Sequence, residues 1–374
     1  MKFFKWFNAV DNKLFTAIVM LMVCGFIMTM AASPAVAERL SVNQFHFIEK
    51  QLIYLCIGLM LIIIISTLNE RAVKRIITIG FICVVILLVI VLFVGDSTKG
   101  AKRWLNIYGF SLQPSEFLKP FYSCIVAMIL ARSNYSNKLE IFLILIGLHM
   151  VMMFLLLMEP DFGMSVLIST IFFIQLFIAE MNILWLLILA CIFLFGVVAV
   201  YFLFPHVARR IEKFLHSSDS VVNYQVQKSL DSYSSGKLWG KGPGEGIIKF
   251  QLPDAHTDFV FPVAAEELGM VFCILMIFLM LYIILRGFNN IIKIKYSLYR
   301  VYSTTGIISY FAIQSVFNIA VTLDLVPTKG ITLPFISYGG SSLIAQCISL
   351  GIYLNITKYL QKVGVKKNTI HVRI

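Results

Sequence analysis

Several stretches of this sequence gather acids, cations and glycines in combinations that packing alone does not require. The richest is Leu252–Pro262, which runs on into Glu266 and Glu267. Asp258 stands where this polar stretch meets an apolar run, and partial desolvation at such a boundary suits a carboxylate to accept a proton as a general base. Asp254 and Glu267 are alternatives that the residues alone do not separate from it, and His256 lies between the two aspartates as a supporting group. Glu266 and Glu267 fall about two turns inside the apolar run, where ionisable groups are expensive. They are read mainly as partners for Lys or Arg of other helices.

Three further segments carry chemistry-bearing residues. Gly100–Leu105 contributes Lys102, Arg103 and Trp104, and Leu112–Pro120 adds Ser115, Glu116 and Lys119. Trp104 suits a membrane interface and Ser115 suits a helix cap, but three cations on one outer segment also suit an anionic group such as a lipid phosphate. In Met158–Gly163, Glu159 and Asp161 read first as caps of the following helix, whose amino end favours negative charge. Pro327–Ser342 holds two prolines and three glycines around Lys329 and ends at Ser341 and Ser342. Non-helical backbone at membrane depth is tolerated only where protein or a cavity covers it. The segment therefore predicts a re-entrant turn whose amides and Lys329 face an anion.

The elements that must position these groups are membrane helices. Hydrophobic residues make up 59% of the 374 positions and charged residues 13%, about half the charged share of a soluble domain. Apolar runs of about 20 residues match a ~30 Å hydrocarbon core. Ten spans are expected near 14–33, 51–68, 76–95, 117–131, 141–158, 162–179, 183–204, 262–285, 302–323 and 342–360. The fold class is thus an all-α, multi-pass membrane protein forming one polytopic domain over 1–374. The first span imitates a signal peptide but is read as uncleaved, with Lys2, Lys5 and Lys13 holding the amino end inside.

The net charge of +12 sits mostly in short loops beside spans, which excludes nucleic acid as the partner. Seventeen Lys and Arg fall on the side of the amino end against 14 opposite, 7 of those within 205–261. Both termini are therefore expected in the cytoplasm, with 205–261 as one long extracytoplasmic loop between spans 7 and 8. Residues 207–217 read as an amphipathic surface helix, and the glycines from Gly236 to Gly246 permit sharp turns. The seven cysteines lie in apolar runs without a C-x-x-C and read as buried hydrophobes. The six histidines show no zinc spacing.

Pro-Ser-Glu-Phe-Leu-Lys at 114–119, Glu-Pro-Asp-Phe-Gly at 159–163, Leu-Pro-Asp-Ala-His-Thr-Asp-Phe at 252–259 and Pro-Thr-Lys-Gly through Gly-Gly-Ser-Ser at 327–342 together resemble the SEDS family (shape, elongation, division and sporulation). The likeness is to its FtsW branch more than its RodA branch, and it covers nearly the whole chain. The segment Asn318–Asp324 departs from the family pattern, in which glycines are common at 320 and 324. The resemblance implies a peptidoglycan glycosyltransferase at the outer face of the bacterial cytoplasmic membrane, using lipid II as donor and acceptor in septal wall synthesis. It also implies a class B penicillin-binding transpeptidase as partner, beside other division membrane proteins. On that reading Asp258 is the base. Lys119, Lys329, Arg103 and Lys102 hold pyrophosphates, Trp104 and Ser341 contact substrate, and Glu116, Asp161, His256, Glu266 and Glu267 support them. A divalent cation, Mg or Mn, has room to assist, but no preformed metal cage is legible. A lipid II flippase is the alternative, using the same cavity and cations without the paired broken helices of a duplicated transporter.

Overall fold

The structure, a computed structural model, describes residues 6–98, 101–107, 110–133, 138–203, 208, 212, 221–294, 297–327 and 330–370. Each of the ten expected spans falls on a helix: α1 Asn12–Arg39, α2 His46–Thr67, α3 Glu70–Val94, α4 Pro114–Leu130, α5 Lys138–Met158, α6 Phe162–Ile178, α7 Ile183–Leu203, α9 Val260–Ile292, α10 Leu298–Thr322 and α11 Gly340–Ile370. Six of these, α1, α2, α3, α5, α9 and α10, are long and apolar enough to cross a membrane. The chain is a multi-pass membrane protein. Between α7 and α9 lies α8, Val221–Gly236. The surface helix expected over 207–217 falls, apart from residues 208 and 212, outside the described residues.

Packing sorts the helices by face. α11 lies along α2, α10 along α4 and α6, and α9 along α1 and α8. Small residues let backbones approach: Gly58 of α2 faces Cys347, and Gly351 of α11 faces Ile62 and Ile65. Peripheral helices turn large apolar side chains outward, as with Ile79 and Phe93 of α3 and Phe195 and Phe202 of α7. Of the cysteines, Cys24, Cys124, Cys273 and Cys347 are buried, while Cys56, Cys83 and Cys191 are exposed on such outward faces, contrary to expectation; all seven are free.

One element was absent from the all-α expectation. Residues 96–112 form a three-stranded antiparallel meander, β1 Asp96–Thr98, β2 Ala101–Ile107 and β3 Phe110–Leu112, in the order β1-β2-β3. Trp104 pairs with Asp96, and Leu105 with Leu112. The alternation in β2, with Leu105 buried and Lys102 and Asn106 exposed, is the period-2 pattern of a strand. Its few residues are overshadowed in sequence by the flanking apolar runs. β3 leads directly into α4, whose cap is Gln113 with Pro114 in the first helical position. Ser115, expected to cap, instead accepts from Gln113 Nε2 at 3.1 Å.

α9 breaks at Gly269, with φ 82° and ψ 174°. The break frees backbone groups, and the glycine-rich segment after α8 satisfies them. Lys241 and Gly242 donate their N–H groups to the carbonyls of Glu266 and Glu267 at 2.9 and 3.0 Å, while Met270 and Val271 donate to the carbonyls of Lys237 and Leu238. Before the break the helix is buried in protein; after it, Met270, Val271, Ile274 and Leu275 point outward while Cys273, Met276 and Leu279 face the protein. Residues 270–292 rise about 33 Å, close to the ~30 Å hydrocarbon thickness. The lipid-facing part of this span is therefore shifted from 262–285 towards the carboxyl end, and Glu266 and Glu267 lie beyond it.

Two substitutions test this backbone with opposite signs. Gly269 has a conformation essentially reserved for glycine, and a methyl there would meet Leu238 O at 2.3 Å, so Gly269→Ala is expected to destabilise by about 3 kcal/mol. Asp324 ends α10 at φ 59°, where Leu325 N–H bonds Ala320 O at 2.9 Å and Asp324 N–H bonds Val321 O at 3.2 Å. This is a helix end that favours glycine, and it falls where the family pattern has one. Asp324→Gly is expected to stabilise by about 1 kcal/mol. Melting in detergent checks both; a lower melting temperature for Asp324→Gly contradicts the second.

Candidate functional site

A cavity of about 420 Å³ opens among β2, β3, the first turns of α4 and α11, and the two loop segments 254–258 and 330–339. Five of the expected site residues line it: Asp258, Arg103, Trp104, Ser341 and Glu116. The Asp258 carboxylate rests against Gly330, where a methyl would lie 3.2 Å from Oδ2. A side chain there would crowd the carboxylate, which would have to shift by a few tenths of an ångström.

The 330–339 segment is sewn to the Asp258 loop by backbone bonds. Tyr338 N–H donates to His256 O at 2.8 Å, and Ser337 Oγ donates to Thr257 O at 2.6 Å. The expected re-entrant turn is thus a buried, non-helical segment that lines the cavity. Lys329, expected to face an anion, lies outside the described residues. Ser341 Oγ accepts from Gln113 N–H at 3.0 Å and donates to Ser111 O at 3.3 Å, joining α11 to β3 at the rim.

Arg103 is held by the turn between α5 and α6. Its Nε donates to Glu159 O at 3.1 Å, a terminal N–H donates to Pro160 O, and Nη1 lies 3.8 Å from Asp161 Oδ1. Asp161 also caps α6 by accepting from Met164 N–H at 3.3 Å, as the sequence suggested. The turn therefore fixes the guanidinium of a residue that lines the cavity.

Other assignments change. Lys119 is 1% exposed and does not reach the cavity; its Nζ donates to Glu116 Oε2 at 2.6 Å and Gln314 Oε1 at 2.9 Å. Three residues apart on α4, the pair meets on one helical face, so Lys119 fixes Glu116 rather than binding a phosphate directly. Lys102 is exposed on β2 and is not among the lining residues. Among the described residues, the cavity thus presents one cation, Arg103, against Glu116, Asp254 and Asp258. His256 stands between the rings of Phe47 and Tyr338, with centroids 4.9 and 5.2 Å away. Burial pulls its pKa from 6.5 down to about 4, so it is a neutral packing group behind the site.

Glu266 and Glu267, both fully buried, lie away from the cavity and hold the glycine-rich segment. Glu266 accepts from Lys241 Nζ at 2.9 Å and from the amides of Ile247 and Ile248; Glu267 accepts from Lys249 Nζ and from Gly244 N–H at 3.0 Å. They are paired with cations, as expected, but with loop lysines rather than lysines of other helices.

Sequence reasoning missed Asn106, Gln113, Thr332, Tyr338 and Ser342 as cavity residues. Position within the motifs at 114–119 and 327–342 was the available signal for the last three and for Gln113's neighbourhood. Asn106 had none. Asp254, the alternative base, does line the cavity and adopts a left-handed φ of 55°.

A cavity set among membrane-crossing helices and lined by Asp254, Asp258, Glu116 and the anchored Arg103 defines a multi-pass membrane protein with a charged candidate site. Residues 12–362 match the cell cycle protein family of FtsW, RodA and SpoVE, and the chain belongs to it. Relatives named "Probable peptidoglycan glycosyltransferase FtsW" include that of Caulobacter vibrioides, 36% identical over 94% of this chain and 90% of its own length. That of Coxiella burnetii is 35% identical over 90% of this chain and 93% of its own. The fold is shared with the rod shape determining protein RodA of Thermus thermophilus, at a TM-score of 0.69 and 24% identity over 93% of this chain and 97% of that one. It is also shared with a chain of a peptidoglycan synthase complex, at a TM-score of 0.73 and 24% identity over 94% and 98%.

The Arg103 anchor carries its own test. Glu159 is fully buried and neither carboxylate oxygen has a hydrogen-bond partner. Burial first, then Asp161, pushes its pKa from 4.5 to about 8, against the pull of Arg103. The folded state therefore holds a proton that the unfolded state releases, and stability falls as pH rises from about 4.5 to 8. Glu159→Gln removes that loss. Its melting temperature is expected to match the wild type near pH 4.5 and exceed it increasingly up to pH 8; a constant difference across that range contradicts the assignment.

Proposed function

We propose that this chain is a peptidoglycan glycosyltransferase of cell division, polymerising lipid II into glycan strands at the outer face of the cytoplasmic membrane. The observation that carries the reading is Asp258, which lies beside Gly330 in a cavity that the anchored Arg103 also lines, in a chain that matches the FtsW relatives over most of its length. The name those relatives carry favours polymerisation over the flippase alternative. Both termini lie in the cytoplasm on this reading, and 205–261 is an extracytoplasmic loop of a single polytopic domain.

The chemistry is one inverting displacement. The donor sugar leaves as a lipid pyrophosphate from an α linkage, and the acceptor hydroxyl forms the β bond. Asp258 accepts the proton of that hydroxyl as the bond forms. Arg103, immobilised before substrate arrives, stabilises charge developing on the leaving pyrophosphate without reorganising. Trp104 and Tyr338 offer ring surfaces to the sugars, and Glu116, held by Lys119, presents an acceptor to substrate hydroxyls. Lys329 and Lys102 are assigned to the pyrophosphates by the family resemblance. Among the described residues no group of three or more His, Cys, Asp or Glu is arranged to hold a metal ion. The partner is a class B penicillin-binding transpeptidase, which crosslinks the strands this chain makes. Coordinated polymerisation and crosslinking describe the complex whose fold it shares.

The test is lipid II polymerisation by the purified chain with its cognate transpeptidase, comparing wild type with Asp258→Asn. General-base loss is expected to lower the rate at least about 100-fold while lipid II binding persists. Full activity in Asp258→Asn removes the assignment. Lipid II translocation in liposomes without glycan from either protein supports the flippase.

A further inference from the structure

The backbone of Asp258 is also held from outside its own loop. Asn318 of α10 is 1% exposed, and its Nδ2 donates to two main-chain carbonyls, Asp258 O at 3.0 Å and Ile331 O at 2.7 Å. Only this orientation of the amide is compatible with the site, because the flipped one would press its oxygen against both carbonyls. Its own Oδ1 is left buried without a hydrogen-bond partner, which is unfavourable for a group that packing alone does not demand. An apolar residue of similar volume would fill the place and orphan no acceptor of its own.

The two carbonyls belong to the two sides of one contact. Asp258 supplies the carboxylate, and Ile331 follows Gly330, against which that carboxylate rests. One planar amide thus sets the separation of the base and its seat.

We infer that Asn318 is a positioning residue for glycan polymerisation, fixing where Asp258 receives the proton of the acceptor hydroxyl. This rests on the reading of Asp258 as the base. Neighbouring bonds at His256 and Thr257 close the same seam, so its loss loosens Asp258 while the loop stays docked.

Asn318→Ala and Asn318→Asp, assayed with the cognate transpeptidase, test it. Misplacing a reacting group by about 1 Å costs on the order of 100-fold. Asn318→Ala is expected to lower kcat roughly 10- to 100-fold, with KM for lipid II within about 3-fold of wild type and a folded, monodisperse protein in detergent. Asn318→Asp, which turns acceptors towards both carbonyls, falls at least as far. Wild-type kcat in Asn318→Ala overturns the inference, as does a raised KM with kcat retained. Loss of folded protein in both variants overturns it too, by making Asn318 a folding residue. An active Asp258→Asn instead overturns the reading of the base, and this inference with it, so the two failures are distinguishable.

Discussion

Backbone N–H and C=O groups buried away from water must find partners within the protein, and the non-helical parts of this chain are organised around that constraint. It acts at two places. At Gly269 the helix α9 opens, and the segment Lys237–Gly242 closes the gap with four backbone bonds. At 330–339 the chain leaves helix altogether and is tied to residues 256–258 by backbone, serine and asparagine donors. The first break lets the start of α9 sit inside protein rather than lipid. Asp258, two residues before that helix, thereby faces a polar cavity.

Charges obey the same constraint. Among the described residues the buried lysines are committed to carboxylates, Lys119 to Glu116 and Lys249 to Glu267, and the half-buried Arg286 pairs with Asp11 at 2.7 Å. Leaving one partner of such a pair alone is costly, so each pair behaves as a neutral unit. Lys119 illustrates the consequence. Its charge reaches the cavity only through Glu116, which it orients. Arg103 differs because its nearest acceptors are mainly carbonyls, with Asp161 more distant and Glu159 favouring its protonated form. It is fixed in direction without being neutralised, which is the state an anion-binding guanidinium needs.

What the sequence made legible follows from range. Spans were readable because a run of about 20 consecutive apolar residues fits little besides a membrane crossing, and Asp258 because a polar stretch ended on it at a membrane boundary. The meander at 96–112 was not, since three short strands leave too few alternations beside long apolar runs. The roles of Glu266 and Glu267 were half legible. Their need for cations followed from burial, but partners 18 and 25 residues back in a glycine-rich loop are a tertiary fact. Asn318 stands out in the sequence only as the first residue of an atypical segment, because one asparagine on a span has no periodic signature. Asp324, by contrast, marked a real strain: an aspartate where the pattern has glycine, at a positive φ.

A loop is a poor place for a base that must be placed within an ångström, because loops move more than the elements they join. Here the loop is converted into something rigid without becoming a helix. α10 reaches it with Asn318, the segment before α11 reaches it with Ser337 and Tyr338, and its own turn is closed by Asp254 O accepting from Thr257 and Phe259. Helical geometry at Asp258 would have carried its carboxylate into the wall of the bundle and engaged its amide in the i−4 ladder. The loop of turns leaves Asp258 lining the cavity while neighbouring backbone groups are satisfied by other elements. Precision at the carboxylate is therefore a property of α10, the segment before α11 and the loop's own turn acting together. That explains why the residues that fix it are drawn from separate segments of the sequence, at 254, 318, 337 and 338.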